Sequence, residues 1–108
     1  MDLVNQYEIY WVDLNPTTGS EINKVRPCVV ISPNESNSWL NTVLVAPVTS
    51  TIRRFPMRMQ ITLSGRKSQI CLDQIRCVDK TRLGSKMAIL NQKNIIEIKN
   101  LLLEYLVD

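Results

Sequence analysis

Between Met57 and Leu63 apolar and polar residues alternate without a break. Met57, Met59, Ile61 and Leu63 fall on one side of an extended chain, and Arg58, Gln60 and Thr62 on the other. This predicts a half-buried strand, turned by Ser64-Gly65. Glu8–Leu14, rich in Ile, Tyr, Trp and Val, predicts a first strand that stops at the turn formers Asn15-Pro16-Thr17-Thr18-Gly19-Ser20. Pro27–Ser32 and Thr42–Val48 are nearly all apolar and read as buried strands. Pro47 marks a strand end or a bulge there, since proline donates no ladder hydrogen bond. Between them, the polar stretch Asn34–Asn41 predicts a short helical turn anchored by Trp39 and Leu40. Gln69–Asp79 holds two apolar pulses, either one bent strand or two short ones, and Lys86–Leu90 predicts a last strand.

One segment carries helical spacing. Ile95, Ile98, Leu102, Tyr105 and Leu106 recur along Asn91–Leu106, with Asn91 as the N-cap. Ile96, Leu101 and Leu103 widen the apolar sector beyond what packing on one sheet requires. That excess fits either a broad core helix or a second buried contact such as a subunit interface. Short strands with Gly, Pro and Ser turns, closed by one helix, predict a mainly β protein with helix (α+β). The expected architecture is a small, strongly bent antiparallel barrel of about five to seven strands. At 108 residues it is expected to form one domain over residues 1–108, burying roughly two-thirds of its unfolded surface.

Composition narrows the chemistry. There is no His, which removes Ser-His-Asp triads, Cys-His pairs, two-His ribonuclease mechanisms and His-ligated metals. Acid or base work falls to carboxylates, Lys, Arg, Tyr or hydroxyls. Cys28, Cys71 and Cys77 form an odd set without CxxC spacing. Cys28 and Cys77 lie in apolar runs and are expected to be buried free thiols, as suits a reducing cytosol. No metal and no cofactor are expected. The N-terminus shows no basic start followed by an apolar run, and no apolar run approaches the roughly 20 residues that span a bilayer. The expectation is a cytoplasmic protein with no membrane partner.

The net charge of +3 is unevenly spread. Residues 1–21 carry Asp2, Glu8, Asp13 and Glu21 without a basic residue. Residues 22–86 carry eleven basic side chains against Glu35, Asp73 and Asp79. A basic middle suits a polyanionic partner, and scattered solvated charge is the other reading. Three segments could carry chemistry. Asn15–Pro27 sets Gly19, Ser20 and Glu21 in a loop and Arg26 at the mouth of a buried strand, where a guanidinium could bind phosphate bidentately. Ala46–Thr51 places the hydroxyls of Thr49, Ser50 and Thr51 beside Arg53-Arg54. Leu72–Arg76 interleaves polar Asp73, Gln74 and Arg76 with apolar residues.

Together these strings resemble the MazF/PemK family of toxins from bacterial toxin–antitoxin systems. The resemblance runs through Ile9–Leu14, Asn15–Glu21, Arg26–Ser32, Val43–Ser50 and Leu72–Leu83. VDLNPTTGSE, RP, VAPVTS and LDQIRCVDKTRL are specific in combination. The resemblance implies a CcdB/PemK-like fold, a homodimer and a cognate antitoxin with an acidic or hydrophobic tail. It also implies metal-independent cleavage of single-stranded RNA at short sequences, leaving 2′,3′-cyclic phosphate and 5′-hydroxyl ends. Arg26 matches the family's catalytic arginine and Thr49 its catalytic threonine. Glu21 matches an acidic residue implicated in catalysis in some members, and is the best-matched base. Ser20, Ser68 and Gln74 match RNA-contacting positions. Two departures are Tyr7-Glu8, where Gly-Asp is usual, and Ile22-Asn23-Lys24, where many relatives have a more Gly-rich loop.

Such a reaction suits a chain without His, because the substrate's 2′-hydroxyl is the nucleophile. Arg26, with a free pKa above about 12, serves better as proton donor or charge stabiliser than as base. Lys24, Ser50, Arg53, Arg54 and Arg76 are the expected RNA-binding neighbours. Of six aromatic residues, Trp39 and Phe55 are the candidates for stacking on bases, with core packing the competing role for Trp39. The alternative function is a CcdB-like toxin that inhibits DNA gyrase by protein binding and cuts no RNA.

Overall fold

The computed structural model describes residues 3–107. Seven strands form one curled antiparallel sheet: β1 (Glu8–Asp13), β2 (Val25–Val30), β3 (Thr42–Thr49), β4 (Arg58–Leu63), β5 (Arg66–Cys71), β6 (Arg76–Asp79) and β7 (Leu83–Ile89). Their order is β4-β5-β3-β2-β1-β7, with β6 paired to β3. A short helix α1 (Asn34–Trp39) precedes β3, and α2 (Gln92–Leu106) ends the chain. This is the expected bent antiparallel sheet closed by a C-terminal helix. The two apolar pulses of 69–79 become separate strands, divided by a 3-10 turn at Leu72–Gln74.

β3 holds the sheet together, and its Pro47 shows how. One edge of β3 pairs with β2, through Cys28↔Pro47, Val29↔Ala46 and Val30↔Val45. The other edge pairs first with β6 (Thr42↔Asp79 to Val45↔Arg76) and then with β5 (Val48↔Ile70, Thr49↔Gln69). Pro47 therefore sits inside a central strand, at the hand-over between two partners where no N–H is asked for. The proline constraint is met without ending the strand.

Alternation builds a core on each face of the sheet. Ile9, Val29, Ala46, Val48, Met59, Ile61 and Ile70 face one side, where α2 inserts its buried Ile98. Tyr10, Val12, Cys28, Val30, Val43, Val45 and Val78 face the other. Asn91 caps α2 as expected, its side-chain oxygen accepting from Asn94 N–H at 2.8 Å. Leu101 and Leu102 pack against the first core, whereas Ile96 and Leu103 remain exposed.

Three expectations are corrected. Trp39 is 83% exposed and Leu40 is also exposed; α1 is anchored instead by Asn37. The Asn37 amide donates to the Ser32 and Val4 carbonyls, and its oxygen accepts from Ser32 Oγ at 2.6 Å. Cys77 is exposed and Cys71 is buried, because on β6 the inward position is taken by Val78. β2 begins at Val25, two residues before the expected start, because the β1 ladder extends to Val12↔Arg26 and Asp13↔Val25.

Glu8, only 3% exposed, ties the sheet edge together. Its carboxylate accepts from Lys86 Nζ at 2.9 Å, Tyr10 Oη at 2.9 Å and Asn5 N–H at 2.7 Å. Burial alone would push this carboxyl up, but the three donors offset it and hold the pKa below the ordinary 4.5. Among the described residues no helix is long and apolar enough to cross a membrane.

Candidate active site

The two best-matched catalytic residues stand on neighbouring strands. The β2–β3 ladder ends at Cys28↔Pro47, and Arg26 and Thr49 lie two residues beyond it on β2 and β3. Thr49 is paired in turn with Gln69 on β5. Arg26 is half-buried, and its Nε donates to the Asn23 carbonyl at 3.2 Å. That bond fixes the stem and leaves the two terminal amino groups unpaired among the described residues. Thr49 is 7% exposed, and its Oγ1 accepts from Thr51 N–H at 3.1 Å. With a lone pair so engaged, the hydroxyl proton is free to donate outward. An unpaired guanidinium edge beside a donating hydroxyl is an arrangement suited to a phosphoryl oxygen.

Arg26 and Thr49 stand on the wall of a hollow of about 590 Å³. Lys24, Ser50 and Ser68 line the same hollow, so five of the expected site residues converge. Lys24 arrives in a left-handed conformation (φ 69°), held at the loop's base. Its N–H donates to Asn15 Oδ1 at 3.2 Å, and its carbonyl accepts from Leu14 N–H at 3.0 Å.

The remaining matched residues gather elsewhere. Ser20, Glu21, Gln74 and Arg76 line a separate hollow of about 310 Å³, which touches β3 at Pro47. Glu21 is exposed, and its carboxylate accepts from Thr18 N–H at 2.6 Å. Gln74 bridges this loop to the 3-10 turn, accepting from Ile22 N–H at 3.0 Å and donating to the Ser20 carbonyl at 3.4 Å. Arg76 donates to the Leu14 carbonyl at 3.0 Å, closing the start of the same loop. Arg53 and Arg54 line neither hollow; they lie in the exposed 50–56 segment that follows Thr49.

Several lining residues escaped the sequence reading. Trp11 faces the larger hollow from β1 across from Pro27, and Arg66 adds another cation to its rim. Gly84 supports Trp11, because a Cβ there would come within 3.3 Å of the Trp11 carbonyl oxygen. The alternation in EIYWVD does set Trp11 opposite Val12, but only the register with β2 shows that its face opens beside Arg26. Burial pushes the Cys28 thiol up to about 12 and that of Cys71 up to about 11, so neither supplies a thiolate near neutrality. Among the described residues no group of three or more Cys, Asp and Glu is placed to hold a metal.

Comparison with known proteins converges on one family. Residues 5–106 match the profile described as PemK-like, MazF-like toxin of type II toxin–antitoxin system. The chain is 34% identical over 106 residues to a protein named Endoribonuclease MazF from Staphylococcus epidermidis, covering 93% of this chain and 88% of that one. It is 36% identical over 104 residues to the protein of the same name from Staphylococcus saprophyticus, covering 91% and 87%. Its fold superposes on the crystal structure of MazF from Deinococcus radiodurans with a TM-score of 0.86 at 22% identity, covering 98% of both chains. It also superposes on a mycobacterial endoribonuclease solved with its cognate antitoxin, with a TM-score of 0.80 at 20% identity over 95% of this chain and 94% of that one.

Proposed function

Because the chain belongs to the PemK-like, MazF-like toxins of type II toxin–antitoxin systems, we propose that it is an endoribonuclease whose cleavage centre is the Arg26–Thr49 pair. The observation that supports this most is the hollow that Arg26 and Thr49 both line, the one with an unpaired guanidinium edge and the other with a hydroxyl donor. The 2′-oxygen of the substrate attacks the adjacent phosphorus, and the bond from phosphorus to the 5′ oxygen breaks. Charge on the phosphorane falls to Arg26 and the Thr49 hydroxyl, which are already oriented and need little reorganisation. Glu21, in the adjoining hollow beyond Pro47, exchanges its bond to Thr18 N–H for the 2′ proton. Arg26 gives a proton to the leaving 5′ oxygen; Glu21 then releases the 2′ proton to solvent while Arg26 takes one up, which restores both groups with no net change in protons. The products are a 2′,3′-cyclic phosphate and a 5′-hydroxyl, formed without a metal.

Single-stranded RNA then crosses β3 from one hollow to the other. Lys24, Ser50 and Ser68 meet it on one side, and Ser20, Gln74 and Arg76 on the other. Arg53 and Arg54 contribute phosphate contacts. Trp11 offers a face for a base in the larger hollow, a role the exposed Trp39 does not share because it lines neither hollow. The chain works as a homodimer in the cytoplasm, pairing through the apolar residues that α2 leaves exposed, Ile96 and Leu103. Its antitoxin blocks the basic side of the site.

Purified protein, in the presence of a chelator, is expected to cut RNA at a short recurring sequence by primer-extension mapping. Intact RNA together with inhibited DNA gyrase would overturn this reading in favour of a protein-binding toxin.

A further inference from the structure

Past Thr49 the main chain leaves the sheet. Residues 50–56 are all exposed, and the β3–β5 ladder ends at Thr49↔Gln69. The segment is nevertheless held in place. At its start, Thr51 N–H donates to Thr49 Oγ1 at 3.1 Å. At its end, Arg58 N–H donates to the Phe55 carbonyl at 3.1 Å, and the Arg58 guanidinium lies 5.1 Å from the Phe55 ring centroid. The Nε and one terminal amino group of that guanidinium donate to the two Asp73 carboxylate oxygens, at 2.7 and 3.0 Å.

Its middle is held by one side chain. Gln69 Oε1 accepts from Arg53 N–H at 2.9 Å, and Gln69 Nε2 donates to the Arg53 carbonyl at 2.8 Å. A primary amide thus supplies the donor and acceptor that a neighbouring strand would have offered. Gln69 is 5% exposed, so its amide sits where competing water is largely excluded and the pairing is strengthened. It faces the same side of the sheet as Thr49, as its directly paired cross-strand neighbour. Arg53 and Arg54 have no carboxylate partner among the described residues.

We propose that Gln69 is a positioning residue for RNA: its amide grips the Arg53 main chain and so presents Arg53 and Arg54 as a fixed cationic pair beside the Thr49 hydroxyl. The role rests on the ribonuclease reading above. Without the grip the two guanidiniums would still be present and still charged. They would have to be ordered each time RNA binds, so the loss should fall on affinity and leave the chemical step intact.

The test uses Gln69→Met, which keeps an unbranched side chain but removes both hydrogen bonds. Gln69→Asn, one methylene shorter, is the second variant should the first fail to fold. Amide exchange at Arg53 is expected to accelerate at least about 10-fold in either variant. KM for an oligoribonucleotide should rise about 5-fold, with kcat within about twofold of wild type, as befits an effect on binding alone. The salt dependence of RNA binding should flatten by about one log unit per log unit, as two phosphate contacts are loosened. In a background carrying Arg53→Ala and Arg54→Ala, replacing Gln69 should add no further rise in KM.

A KM rise of equal size in both backgrounds would show a merely structural role and overturn the proposal. So would unchanged KM and exchange in the single variant. Wild-type protein that neither binds nor cuts RNA would overturn the ribonuclease reading and this role with it. Wild-type cutting that Gln69→Met leaves unaltered would overturn this role alone.

Discussion

The two hollows beside β3 are built in different ways. The larger one takes its proposed reactive pair from neighbouring strands, Arg26 held by the ladder to β1 and Thr49 by the ladder to β5. The smaller one takes Ser20 and Glu21 from a loop fastened by two hydrogen bonds with the Gln74 side chain and two between Thr18 and Glu21. In the proposed mechanism, the groups that must meet a transition state within a fraction of an ångström sit on the strands. The proposed base, Glu21, sits on the looser loop. The departure at Ile22-Asn23-Lys24 spans both: Ile22 lines the smaller hollow, whereas the Asn23 carbonyl accepts from Arg26 Nε and Lys24 lines the larger one.

Substitutions can break this contrast, beginning with the largest effect. Thr49→Val keeps the shape and removes the hydroxyl; kcat for RNA cleavage should fall about 10³-fold with the melting temperature nearly unchanged. A drop under tenfold would remove Thr49 from the rigid centre. Glu21→Gln should lower kcat about 10²-fold and leave KM nearly alone. Full activity in this variant would reduce the smaller hollow to a binding surface.

Weaker effects sharpen the same contrast. Glu8 has its pKa held below 4.5 in the folded state, so the stability it contributes is present above that pH and is lost as pH falls through the lowered value. Glu8→Gln should cost about 2 kcal/mol at pH 7, and the difference from wild type should shrink on acidification in paired thermal melts. A constant difference from pH 7 to pH 3 would contradict the charged role. Gln74→Ala, which frees the loop from the 3-10 turn, should cost about 1 kcal/mol at most. It should raise KM severalfold while kcat holds; a fall in kcat matching that of Thr49→Val would mean that the two hollows act as one rigid unit.

Much of this architecture was legible in the sequence because the relevant signals are local. The alternation of Met57–Leu63, the helical spacing and the Asn91 cap each depend on residues close in the chain, and α2 and β4 formed where expected, whereas β2, β5 and β7 begin two or three residues early, at Val25, Arg66 and Leu83. Arg26, Thr49, Lys24, Ser50 and Ser68 were expected from short strings, the family resemblance and the basic middle, and all five line one hollow. Features that depend on pairing were hidden. Pro47 looked like a strand end because its neighbours β6 and β5 could not be seen to divide the edge between them. Trp39 looked like an anchor because the buried amide network of Asn37 has no hydropathy signature. Cys77 looked buried because the apolar run around it concealed which residue of β6 points inward. Trp11 and Gln69 became visible only with the register, which sets Trp11 against Pro27 and Gln69 against Thr49.

The central claim is that Arg26 and Thr49 form the cleavage centre, and the most direct measurement is single-turnover cleavage of one oligoribonucleotide by wild type and by Arg26→Ala, each with its melting temperature. The wild type should yield a 2′,3′-cyclic phosphate end, and the variant should fold normally while cutting at least about 10³-fold more slowly. Equal rates from the two folded proteins would contradict the account.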